Sequence, residues 1–251
     1  MQRDEYGRSR PGLDPPSGPH EEQGTPKTRG SDLLLVLVTT LAVLLSIRLT
    51  IGVPTPEPTV ILLLLALQAV VPLGAVYLVV VRRRGISWRE IGLRPAPRGW
   101  YLRAVLLALL TLLLVAVVNL AVQALMGQPL RNPQIEILAP VAGTWQAMIG
   151  LLLVAGVVFP FVEEILFRGL LHDWLRRRFG AAVASVGSAA IFAGAHGIPI
   201  LLPALFIVGM MLAWTRERSG SLWPPIILHG SFNSIMVLLL FAVLAAGPPP
   251  T

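Results

Sequence analysis

The sequence predicts an all-α fold, a polytopic bundle of about seven transmembrane helices with the N-terminus in the cytoplasm. Of its 251 residues, 55% are hydrophobic and 13% are charged, a composition too apolar for a soluble globular protein. The apolar residues fall in stretches of about 20, the length that crosses a bilayer as a helix. The alternation of polar and apolar residues that is typical of a transmembrane β-barrel is missing.

About seven apolar stretches are long enough for such spans. They run from Leu33 to Val53, Thr59 to Val81, Tyr101 to Met126, Trp145 to Leu171 or beyond, Ala181 to His196, Leu201 to Trp214, and Leu222 to Ala246. We predict one membrane domain over residues 32–246, preceded by a disordered tail (1–31) and followed by a short tail (247–251). Within that domain, residues 32–84 form two accessory spans and residues 85–246 form a core.

The net charge of +7 is carried by the connections between spans, which argues against nucleic acid as a partner and for the lipid bilayer. Arginines crowd the connection between the second and third spans and follow the fourth and sixth, whereas the alternate connections carry almost none. By the positive-inside rule, the arginine-rich connections and the N-terminus are expected in the cytoplasm. The segment from Gly85 to Trp100, with Trp88 and several arginines, is typical of an interfacial segment at headgroup level.

The chain has no cysteine, which excludes disulfides, thiol nucleophiles and thiolate metal sites. Chemistry is therefore expected from carboxylates, imidazoles and amides. These groups are concentrated in the last four spans.

Two adjacent glutamates, Glu163 and Glu164, lie inside an apolar span. A carboxylate in hydrocarbon costs several kcal/mol unless it is paired or solvated, so this acid pair indicates a functional site. Glu164 and Arg168 are four residues apart in the acid-first order, which predicts an ion pair on one helix face. Because neighbouring side chains on a helix point about 100° apart, Glu163 is left to face a cavity.

Three further polar residues, His196, His229 and Asn233, come from two other spans. His229 and Asn233 are four residues apart and share a helix face. Glu163 with His196 would deprotonate a water, and His229 with Asn233 would stabilise the oxyanion formed at an attacked amide carbonyl. Alternatively, Glu163, His196 and His229 would bind a divalent metal such as zinc, with an open position for water.

Glu163 and His196 meet only if the fourth helix is long. If that helix ended at Arg168, Glu163 would lie near one face of the membrane and His196 near the other. We therefore predict a helix that is kinked by Pro160 and runs on toward Trp174, which places Arg168 inside the protein and Glu163 near mid-depth. We also predict a cavity that opens to the cytoplasm.

The same polar residues are also compatible with a catalytically silent membrane protein. Such a protein would be an immunity or scaffold factor, or a proton-coupled transporter in which the acid pair carries protons. Inverted repeats would favour transport, and the sequence shows none.

Three short motifs resemble those of a known family. They are Glu163-Glu164-ILF-Arg168, Phe192-AGA-His196 and His229-GSF-Asn233. In order and spacing they are similar to the EExxxR, FxxxH and HxxxN motifs of the CAAX prenyl protease and bacteriocin-processing (CPBP, also called Abi) intramembrane proteases. The resemblance covers roughly Gly85 to Ala246.

This resemblance implies an intramembrane endopeptidase with the water-activating and oxyanion pairs named above. The supporting residues that it implies are Glu164, Arg168 and Phe192. Members are usually classed as metallopeptidases, so a divalent metal is an open expectation. The implied partner is a peptide or a membrane-associated protein. Since the content of Ala, Arg, Gly and Pro is typical of bacteria, the expected location is a bacterial plasma membrane.

Overall fold

The computed structural model describes residues 28–51, 58–130 and 145–246, and all regular structure in these ranges is helical. The first half comprises α1 (Gly30–Ile51), α2 (Pro58–Val76, continued as a π-helix over Tyr77–Arg82), α3 (Trp88–Ile91) and α4 (Gly99–Met126). The predicted tails lie mostly or wholly outside the described residues, since 1–27 and 247–251 are not among them.

The second half contains the predicted site. α5 comprises Trp145–Leu153, a π-helical stretch Val154–Val158, the α-helical Phe159–Glu164 and a second π-helical stretch Ile165–His172. It is followed by α6 (Asp173–Ala195), a 3-10 turn (Pro199–Leu201), α7 (Leu202–Ser219) and α8 (Trp223–Ala246).

Within the described ranges, 5 helical stretches are long and apolar enough to cross a membrane. One of them, Met148–Ala195, is 48 residues long and includes both α5 and α6. A helix of that length measures roughly 70 Å, about twice the thickness of the hydrocarbon core. It breaks at Gly180, whose φ of 81° and ψ of 174° are not helical. The all-helical membrane fold is confirmed, whereas the count of seven spans and the side of the N-terminus stay predictions.

The predicted long fourth helix is confirmed, since α5 continues past Arg168 and leads directly into α6 at Asp173. Pro160 follows the first π-helical stretch, where the N–H of Phe159 bonds to the carbonyl of Val154, five residues earlier. Pro160 has no N–H with which to continue these backbone hydrogen bonds. In a regular helix its ring also collides with the carbonyl four residues earlier. The π-helical turn accommodates that disruption without ending the helix.

The second half of α5 forms the axis of the bundle. All eight residues of Ile165–His172 are buried, and α1, α3, α6 and α7 surround this stretch. Arg168 therefore lies inside the protein, as predicted.

Two close helix contacts depend on glycine. A Cβ atom on Gly209 of α7 would lie 2.9 Å from the Cα atom of Ala189 on α6. A Cβ atom on Gly230 of α8 would overlap the carbonyl oxygen of Gly156 on α5. Small residues at such positions let the helix backbones approach closely. This matters in a bilayer, where the hydrophobic effect does not drive helices together and association depends on close packing.

We expect Gly209→Ala to destabilise the protein by about 1–3 kcal/mol, because the added methyl group meets the backbone of α6 and not a flexible side chain. The matched control is Gly150→Ala on α5, where an added Cβ has nothing within 4 Å. The control should be neutral or slightly stabilising, since alanine is the better helix former. Thermal unfolding in detergent measures both, and equal midpoints for the two variants would contradict the close contact.

Candidate active site

The predicted site residues lie on α5, α6 and α8, and the structure places Glu163 of α5 beside His229 of α8. The contact of Gly230 with Gly156 draws the His229 turn of α8 against α5. There, Nε2 of His229 lies 3.8 Å from Oε2 of Glu163. One turn further along α8, the side-chain amide of Asn233 donates a hydrogen bond of 2.9 Å to the backbone carbonyl of Ala155, in the first π-helical stretch.

The predicted pairing of Glu164 with Arg168 is confirmed. Nη1 of Arg168 lies 2.9 Å from Oε1 of Glu164, and both side chains are fully buried. Arg168 also donates through Nη2 to the carbonyl oxygen of Gly209 at 3.1 Å. Gly209 therefore contributes both a close packing contact with α6 and a carbonyl acceptor for Arg168.

Glu164 also positions His229, which the sequence did not reveal. Nδ1 of His229 lies 3.0 Å from Oε1 of Glu164, the same oxygen that accepts from Arg168. A carboxylate that is paired with arginine accepts hydrogen bonds, so Nδ1 of His229 carries a proton. This contact turns Nε2 toward Glu163. No spacing pattern signals it, because the two residues are 65 positions apart.

Phe192, the predicted supporting residue on α6, lies at the centre of the cluster. Its ring centroid lies 4.8 Å from that of His196 and 5.7 Å from that of His229. The guanidinium carbon of Arg168 lies 4.6 Å from the same ring, a distance typical of a cation–π contact. Phe192 thus contacts the buried cation and both imidazoles.

His196 stands at the end of α6 and is half-buried. Its Nδ1 lies 2.8 Å from the carbonyl oxygen of Phe192. Since a carbonyl only accepts, Nδ1 donates, and in the neutral ring Nε2 is left as an acceptor. Within the described ranges, the imidazole that approaches the Glu163 carboxylate, at 3.8 Å, is that of His229 and not that of His196. The predicted water-activating pair of Glu163 and His196 stays a prediction.

Residues 144–235 match the family model described as "Type II CAAX prenyl endopeptidase Rce1-like". The chain carries an Rce1-like domain. This confirms the resemblance to the CPBP family over the segment that holds the three motifs. Residues 85–143 and 236–246, which the resemblance was expected to include, lie outside the match.

Part of the chain also resembles a curated protein of Escherichia coli described as an "Uncharacterized 24.3 kDa protein". The two are 34% identical over an alignment of 96 residues, and the match covers 35% of this chain and 42% of that protein. The chain thus spans less than half the length of this relative. No solved structure matches the chain.

The donors of the predicted zinc set do not form a metal site in the Rce1-like domain. Across residues 28–51, 58–130 and 145–246, no three or more His, Cys, Asp or Glu side chains are grouped so that they could hold a metal ion. The set of Glu163, His196 and His229 does not fit a metal in this geometry. No step proposed below passes through one, and metal use stays a prediction.

The residues of the candidate site differ in their exposure. The side chain of Glu163 is 27% exposed, whereas those of His229 and Glu164 are 4% and 0% exposed. An apolar groove of about 800 Å³ lies between α2, α4, α5 and α8, but none of the four predicted catalytic residues lines it. This groove is therefore not the predicted polar pocket, and the opening of a pocket to the cytoplasm stays a prediction.

A second polar cluster ties the end of α7 to the start of α6. Arg216 and Asp173 are 2.8 Å apart, and Arg176 and Glu217 are 2.6 Å apart. The buried ring of His172 lies 3.5 Å from the Glu217 carboxylate. The sequence analysis placed arginines after the fourth and sixth spans, but their pairing with acids more than 40 positions away carries no local signal.

We expect Arg168→Met to destabilise the Rce1-like domain by about 3–5 kcal/mol, because it leaves the Glu164 carboxylate buried without its cation. The control is Arg176→Met, which breaks an ion pair whose arginine is 55% exposed. That change should cost at most about 1 kcal/mol. Unfolding by denaturant in detergent measures the free energy of unfolding of both variants and of the parent.

The double variant Glu164→Gln with Arg168→Met should recover part of the loss, since no uncompensated charge is left. Equal stability of Arg168→Met and the parent would show that the buried pair is not required for folding.

Proposed function

We propose that this chain is an intramembrane endopeptidase in which Glu163 deprotonates a water and His229 with Asn233 stabilises the oxyanion. The observation that carries the proposal is the 3.8 Å approach of His229 Nε2 to Glu163 Oε2. The orientation of His229 is set by its contact with Glu164, which is itself held by a buried ion pair with Arg168. The Rce1-like match supports a peptidase of the CAAX type.

Glu163 is suited to act as the base because it is the acid of the pair that remains accessible. Glu164 is fully buried and is bonded to Arg168 and His229. Glu163 accepts a proton from water as the water oxygen attacks the carbonyl carbon of the scissile peptide bond. The same carboxyl group then returns that proton to the departing amine as the carbon–nitrogen bond breaks.

His229 and Asn233 are suited to stabilise the oxyanion because they lie one turn apart on the same face of α8. Nε2 of His229 lies beside Glu163 and would donate to the oxyanion when it carries a proton. The side-chain amide of Asn233 has two N–H groups, of which one is bonded to the carbonyl of Ala155. The second would donate to the oxyanion. Donors held in place by other bonds need no reorganisation when charge develops.

His196 is proposed to hold the attacking water. Its Nδ1–H is bonded to the carbonyl of Phe192, so its neutral Nε2 would accept a hydrogen bond from the water. Glu163 and His196 would then bind the same molecule from two sides. No metal enters this mechanism, and metal analysis of the purified protein tests that choice.

The proposed substrate is a peptide or a membrane-associated protein, cleaved within a bacterial plasma membrane. The five apolar helices support membrane embedding. A substrate bond that enters this region is removed from bulk water, which strengthens the electrostatic contacts that act on it.

We expect Glu163→Gln and His196→Ala to lower peptide release by about a hundredfold to ten-thousandfold, the range typical of lost acid–base catalysis. The assay uses proteoliposomes with a defined peptide library, and mass spectrometry identifies the new termini. Unfolding midpoints near that of the parent show that the variants fold. If both variants and the parent behaved alike, the residues would have a structural role and the catalytically silent alternative would be supported.

We expect Asn233→Ala to lower kcat by about a hundredfold to a thousandfold with a small change in KM, because its donor would act mainly in the transition state. The matched control is Asn119→Ala on α4, which removes another partly buried amide from a span without a proposed catalytic residue. The control should keep the parental kcat. A matching loss in both variants, or a change confined to KM, would contradict the oxyanion role.

A further inference from the structure

A second groove, of about 410 Å³, lies between the start of α4 and the end of α7. The residues that line it are Trp100, Arg103, Leu106, Leu107, Leu110 and Trp214. None of these residues belongs to the proposed active site. The groove is therefore considered by its own chemistry.

Two aromatic rings and the cation of Arg103 line one end of the groove, and a second cation, Arg218, lies against one of these rings. The indoles of Trp100 and Trp214 pack edge to face with their centroids 6.1 Å apart. The guanidinium carbon of Arg103 lies 5.6 Å from the Trp100 ring, and that of Arg218 lies 5.8 Å from the Trp214 ring. Both arginines are exposed, and no acidic residue lines the groove. This end is suited to an anion.

The other end of the groove is a leucine face. Leu106, Leu107 and Leu110 follow Arg103 at spacings of three, four and seven, which place all four residues on one side of α4. Leu106 and Leu110 are 55% and 45% exposed. Since α4 is one of the helices able to cross a membrane, this face leads from the arginine into the hydrocarbon.

We propose that this groove binds one anionic phospholipid. Its phosphate would lie between Arg103 and Arg218, and an acyl chain would follow the leucines. The two tryptophans would lie at headgroup level, where indoles are enriched. A soluble phosphate compound would use the arginines but would leave the leucine face uncovered. A zwitterionic lipid would bring a cation toward the two guanidinium groups.

A lipid bound in this way would join α4 to α7, because the groove is formed by residues of both helices. The bound lipid would therefore stabilise the folded protein in proportion to its occupancy. This effect does not depend on peptidase activity, so the lipid site and the proposed function can fail separately.

The test is native mass spectrometry of the full chain in detergent, titrated with dioleoylphosphatidylglycerol or dioleoylphosphatidylcholine. We expect selective retention of phosphatidylglycerol. Arg103→Gln and Arg218→Gln should each weaken its binding by about fivefold, the effect typical of one basic residue at an anionic membrane surface. The double variant should weaken it by roughly twenty-five-fold if the two contacts are independent.

The charge-matched control is Arg82→Gln with Arg89→Gln, which removes two exposed arginines outside the groove. It should leave binding unchanged. An equal loss in this control would show a general attraction to the basic surface and would overturn the specific site. Parental binding by the Arg103→Gln and Arg218→Gln double variant would overturn it as well.

Two further outcomes separate other occupants from a lipid. Glycerol 3-phosphate supplies the same phosphate without acyl chains, so we expect it not to compete at the concentrations at which phosphatidylglycerol binds. Competition at equal concentration would overturn the lipid proposal and would favour a soluble anion as the occupant of the groove. A dimer formed by the parent but not by the Arg103→Gln and Arg218→Gln double variant would overturn the lipid proposal. It would favour a second copy of the chain as the occupant of the groove.

Discussion

The buried ion pair of Glu164 and Arg168 is the constraint on which the rest of the site depends. Both side chains are completely buried inside a bundle of apolar helices. Each charge would cost several kcal/mol there without its partner, and the pair needs further hydrogen bonds to remain stable. Those bonds come from the carbonyl of Gly209 on α7 and from His229 on α8. Satisfying two charges thus fixes the positions of three helices relative to one another.

This constraint gives two adjacent glutamates different roles. Glu164 faces the bundle axis and holds His229 in place, while Glu163 is turned away by the helix geometry and remains 27% exposed. Glu164 therefore supports the proposed catalytic role of Glu163, because it orients the imidazole of His229 toward the Glu163 carboxylate. Phe192 completes the arrangement by placing its ring against both histidines and the arginine.

Irregular backbone makes this geometry attainable. The acid pair lies in a short α-helical segment between two π-helical stretches of α5. Such stretches are frequent at functional sites because they redirect side chains and carbonyls that a regular helix would fix. The carbonyl of Ala155 in the first stretch accepts from Asn233. Close approach at Gly156 and Gly230 brings α8 near enough for that bond.

The sequence by itself determined the helical membrane class and the pairs that lie four residues apart. Apolar length and the helical repeat are local properties, so Glu164 with Arg168, and His229 with Asn233 on one face, followed from spacing alone. Only the tertiary structure decided that His229 bonds to Glu164. The rotation and separation of packed helices are set by contacts between distant residues, and no local pattern encodes them.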